Sequence, residues 1–72
     1  MIQELRTTKE SALRAADQEI ASLNSQIAHC EKQMKLPSIE PWEKREYAET
    51  ILSIQEEIAE CKVARRRIED LP

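Results

Sequence analysis

Apolar residues recur along this chain at alternating intervals of three and four. Leu13, Ala16, Ile20, Leu23, Ile27, Cys30 and Met34 keep that spacing in the first half. Tyr47, Ile51, Ile54, Ile58, Cys61, Arg65 and Ile68 keep it in the second, with Arg65 the single polar intruder. Such a repeat lines one face of an α-helix and is the a/d pattern of a coiled coil. It predicts two long amphipathic helices, and the prolines place their ends. Pro37 and Pro41 bracket a short break. A residue before proline is steered out of helical geometry, so the first helix should end near Lys35 or Leu36. Glu40 becomes the N-cap of the second helix and Pro41 its first residue, where a missing N–H loses no hydrogen bond. Glu43 and Glu46 then lie near the positive end of the helix dipole, and Arg65, Arg66 and Arg67 toward its negative end. The expected bounds are about 3–35 and about 41–70, joined by a turn over 36–40. Thr7 and Glu10 have capping-box spacing, although Ile2 and Leu5 suggest an earlier start.

So short a turn brings the second helix back antiparallel, and facing positions should then sum to a near-constant value. Ile20 falls opposite Ile58, Leu23 opposite Ile54 and Ile27 opposite Ile51. The same register sets Ala16 against Cys61 and Cys30 against Tyr47, so large side chains face small ones at the ends of an aliphatic centre. The fold class expected is all-α: a two-helix antiparallel coiled-coil hairpin forming one domain over 1–72.

Composition agrees. The 72 residues include no Gly and no Phe, 35% are charged and 40% apolar. Good helix formers dominate, and little is left for hairpin turns or aromatic strand pairs. High charge with few aromatics also fits disorder, but a disordered chain has no reason to keep two matched stripes. Two helices share only one seam, and a core this small rarely supplies more than about 3–5 kcal/mol. A weaker apolar strip runs along the second helix through Ala48, Leu52, Ala59 and Val63, and Ala12, Ala21 and Ala28 lie off the seam of the first. Self-association is therefore expected, most simply a homodimer of hairpins forming a four-helix bundle.

The candidate chemistry is sparse. A formal charge of −3 gives no field for non-specific nucleic-acid binding. The start of the chain lacks the apolar core of a signal peptide, and no stretch approaches the roughly 20 apolar residues of a membrane span. A cytoplasmic location is expected, with Cys30 and Cys61 as reduced thiols. The register separates them by roughly 20 Å along the hairpin, beyond disulfide reach. His29, the only histidine, falls off the seam and has no second ligand pair for zinc. No phosphate loop and no nucleophile with a base are present. No enzyme activity, cofactor or metal is expected.

What remains is surface. Folding gathers Arg6, Lys9, Arg14, Lys62, Arg65, Arg66 and Arg67 at the open end, interleaved with Glu4, Glu10, Asp17, Glu60, Glu69 and Asp70. These charges read first as dipole complements and salt bridges to the first helix, and second as a docking patch for an acidic protein or a nucleic-acid backbone. Arg65 on the seam either snorkels at the frayed end or marks where a partner carboxylate enters. The closed end, Gln18 to Ala59, carries eight acids and four bases, with Leu36, Ile39 and Trp42 at its tip. Trp42 either caps the turn or stands out as a binding anchor, the role in which tryptophan is most enriched. Candidate partner-binding residues are thus Trp42, Leu36, Ile39, Leu52, Val63, Arg65, Arg66 and Arg67. The turn Pro-Ser-Ile-Glu-Pro, 37–41, resembles that of type III secretion needle subunits over those five residues, and the rest of the chain departs from that family. The reading is a non-enzymatic protein–protein interaction module: a small adaptor, chaperone or inhibitor, of the kind phages and mobile elements use against a host protein. A structural subunit of a bundle or filament comes second, and a nucleic-acid-binding regulator using the arginine cluster third.

Overall fold

The computed structural model describes residues 2–72, with side chains from Thr8 onward. α1 begins at Ile2, the earlier start that Ile2 and Leu5 suggested, so Thr7 lies inside the helix and is not its N-cap. The side chains of Glu4 and Arg6 lie outside the described ones. Two helices make up the fold, α1 (Ile2–Met34) and α2 (Pro41–Glu69), packed against each other with no strand among the described residues. They run antiparallel: Lys9 near the start of α1 meets Leu71 near the chain end, and Asp17 meets Arg65.

The helix ends follow from the turn chemistry. α1 tightens as it stops, with the Lys35 and Leu36 amides donating to the carbonyls of Lys32 and Gln33, both at 3.2 Å. These bonds span three residues instead of four and satisfy carbonyls that have no partner further along. No described residue has a positive φ, so this chain without glycine ends its helices by tightening and by proline. Glu40 is the N-cap of α2, extended at φ −78° and ψ 151°, and Pro41 opens the helix. The Glu40 amide donates to Glu43 Oε1 at 3.4 Å, a long bond that nonetheless sets a carboxylate against the helix N-terminus. At the far end the Asp70 amide donates to Arg66 O at 3.0 Å and the Leu71 amide to Ile68 O at 3.1 Å.

Every position of the predicted seam is buried or half-buried, from Leu13 to Met34 on α1 and from Tyr47 to Ile68 on α2. The core is small. Leu23, Ile54 and Ile58 form its centre, at 3%, 5% and 8% exposure, and Ile20, Ile27 and Cys61 pack around them. Cys30 is also buried. The radius of gyration is 16.9 Å, against about 11 Å for a compact domain of this length. A single seam cannot draw the chain into a ball; the hairpin is a narrow layer with most side chains wet.

Candidate interaction surfaces

At the open end, one arginine is drawn into the seam. Arg65 occupies a stripe position where its neighbours are aliphatic, and its side chain is one-third exposed. Its Nε donates to Asp17 Oδ1 across the seam at 2.6 Å, and a second guanidinium N–H donates to Glu69 one turn on. The partly buried side chain carries its head to two carboxylates at the rim, as a snorkelling arginine does. Lys9 sits on the same stripe one turn before Leu13, and its Nζ donates to Leu71 O at 2.8 Å. The two contacts close the open end from opposite directions. Arg66 and Arg67 are exposed, and neither is in an ion pair among the described residues.

At the closed end, Trp42 leaves 60% of its surface in solvent. It lies one residue past Pro41, and the extended Glu40 and the proline ring fix that first turn with its side chain outside the seam. Leu36 is also exposed, whereas Ile39 is half-buried. Of the three tip residues only Ile39 is substantially covered by the hairpin.

Along the back of α2, Leu52 and Val63 are exposed at 61% and 54%. Ala59 between them is exposed, while Ala48 is half-buried. On α1, Ala21 and Ala28 are exposed and Ala12 half-buried. A shallow depression on α2 is lined by Ala59, Glu60, Val63, Ala64 and Arg67. A second, acidic one lies beside the seam among Gln26, Glu46, Glu49, Thr50, Ser53, Ile54 and Glu57. Both are open to solvent, without the enclosure of a small-molecule site.

Both cysteines are free thiols, Cys30 buried and Cys61 half-buried. Among the described residues no group of three or more His, Cys, Asp or Glu side chains is placed to hold a metal ion. None of the described helices is long and apolar enough to cross a membrane.

The sequence places Asp17 and Glu69 among the open-end acids and predicts salt bridges to the first helix, as Arg65–Asp17 is, but it does not name the individual pairs or the acceptor at Leu71. Glu69 was signalled by its i,i+4 spacing from Arg65. Asp17 was signalled by its place beside Ala16 on the seam's flank, once the helix register is carried past the apolar positions. The acceptor at Leu71 is a backbone carbonyl, which no side-chain pattern announces.

The chain matches no protein-family model, no curated protein and no solved structure.

Proposed function

We propose that this hairpin is a non-enzymatic protein–protein interaction module, acting as a small adaptor, chaperone or inhibitor of a larger protein. One observation carries the reading: its largest exposed apolar side chains stand outside a seam that is already filled. Trp42, Leu52, Val63 and Leu71 each leave more than half their surface in water, and none belongs to the hairpin's own core. Scattered surface leucines are ordinary, but a tryptophan held at a rigid helix start is an efficient anchor because little side-chain freedom is lost on docking. The module works in the cytoplasm, where its two thiols stay reduced, as a phage or mobile-element accessory protein acting on a host protein would.

The second reading is a structural or assembly subunit, favoured by the exposed strip on α2, through which two hairpins associate as a four-helix homodimer. A nucleic-acid role ranks third because Arg65, the centre of the basic cluster, is engaged by Asp17 and Glu69.

Affinity capture from the native host, run in parallel with wild-type and Trp42→Ala bait, tests the module. A host protein retained by the wild type and lost with the variant, whose circular dichroism is unchanged, supports the reading. Capture that is indifferent to Trp42 defeats it.

A further inference from the structure

We propose that the back of α2 is the interface for a second copy of this chain, docked antiparallel with Leu52 of one protomer opposite Val63 of the other. This rests on the self-association part of the functional reading and gives it a face and a register.

α2 carries a second heptad-spaced line. Arg45, Glu49, Leu52, Glu56, Ala59, Val63, Arg66 and Asp70 recur at intervals alternating between four and three, and all eight are exposed. At about 100° per residue this line lies roughly 150° around the helix from the seam. Nothing in the hairpin covers it.

The line is self-complementary. An interface about a two-fold axis uses the same patch on both copies, so its pattern must answer itself when reversed. With Leu52 opposite the partner's Val63, Glu49 falls opposite the partner's Arg66 and Arg45 opposite the partner's Asp70, each repeated by symmetry. Glu56 falls opposite the partner's Ala59, whose small side chain leaves room for the carboxylate to stay hydrated. None of Arg45, Glu49 or Arg66 is in an ion pair within the hairpin among the described residues, so their charges are available.

Other alignments fail on the same residues. A parallel pairing in register sets Glu49 on Glu49, Glu56 on Glu56 and Arg66 on Arg66, like against like. Sliding the antiparallel pair by one heptad sets Leu52 against either Glu56 or Asp70. The surface relief agrees with the chosen register. The depression at Val63 is lined by Ala59, Glu60, Val63, Ala64 and Arg67, a set that includes the i, i+3, i+4, i+7 spacing at which a helix receives a knob of a facing helix. It borders Val63, the residue that the partner's Leu52 faces.

The resulting object differs from a closed four-helix bundle. Because the line stands nearly opposite the seam, the four helices form an open layer in the order α1, α2, partner α2, partner α1. Trp42 lies outside the paired span from Arg45 to Asp70 and stays exposed in the dimer, free for a different partner.

Sedimentation equilibrium of the full chain at low ionic strength, from micromolar to several hundred micromolar, is the test. The wild type should pass from monomer to dimer, and Leu52→Glu should stay monomeric with unchanged helicity. Glu49→Arg sets like charges together at two symmetric places and should raise the dissociation constant at least about tenfold. The double variant Glu49→Arg/Arg66→Glu should return it to within about threefold of the wild type, because the reversed charges meet again across the interface. Residues 49 and 66 are nearly five turns apart on one helix, so this rescue cannot arise inside a protomer. A dimer that forms but ignores these substitutions, or a double variant no better than the single, overturns the face and register while leaving self-association standing. A wild type that remains monomeric throughout overturns both, and the Trp42-dependent capture then decides the interaction module alone.

Discussion

Arg65 Nε donates to Asp17 Oδ1 at 2.6 Å, linking the helices at a position where the apolar stripe is interrupted. Both side chains keep substantial exposure, so the bond is screened and its worth is small, about 0.2–1 kcal/mol. Asp17→Asn should lower the thermal midpoint by about 2–4 °C for half a kcal/mol in a domain of this size. The deficit should shrink in 1 M salt, where the Debye length falls to about 3 Å.

Arg65→Leu makes the opposite case. It removes the bridge but completes the apolar stripe, and hydrophobic replacement of a paired charge is often neutral or stabilising. The midpoint is expected to hold or rise. A fall of more than about 1 kcal/mol would mean the guanidinium contributes more than a rim ion pair does.

The core has no redundancy. Leu23, Ile54 and Ile58 make its centre, and large-to-small substitution at such sites costs about 2–5 kcal/mol. That spans the whole stability available to so small a core. Ile54→Ala should therefore unfold the chain at room temperature, read as lost ellipticity at 222 nm. Leu52→Ala, two residues away and exposed, should change monomer stability by no more than about 0.5 kcal/mol.

The thiols should separate by accessibility. Cys61 is half-buried and Cys30 buried, and alkylation needs the sulfur to meet solvent. Under native conditions iodoacetamide should label Cys61 first, with peptide mapping as the readout, and urea should abolish the difference.

Pro41 fixes one backbone angle at the start of α2, where the helix already lacks a donor to lose. Pro41→Ala should cost about 0.4–1 kcal/mol, mainly by releasing the unfolded chain. A urea titration should show a lower midpoint at unchanged slope.

The seam was legible because a 3–4 repeat names a helix face whatever the partner, and two such repeats across a short break leave one way to meet. The N-cap at Glu40 was legible for a similar reason: proline chemistry acts within one or two residues. The exposure of Trp42 was not legible. The heptad register says which way Trp42 leaves the helix, but whether the turn folds over it depends on the path through residues 36–40. The pairing of Arg65 with Asp17 fell between these cases. Its position was plain from the stripe, and its partner lay on a flank that apolar periodicity does not describe. The self-complementary line on α2 alternates charge with small apolar residues, and a hydrophobic pattern alone passes over it.

The principal extents of the chain are 58, 15 and 10 Å, at a mass of 8.4 kDa. Drag on such a rod is set by its length more than by its mass. A single copy therefore elutes from a gel-filtration column ahead of globular standards of equal mass, in the place a dimer of compact domains would occupy. Partners bound side by side along the rod add mass with little added length, so a true dimer shifts less than its doubled weight implies. Elution position thus reports the length of this hairpin, and counting its copies belongs to methods that weigh the particle.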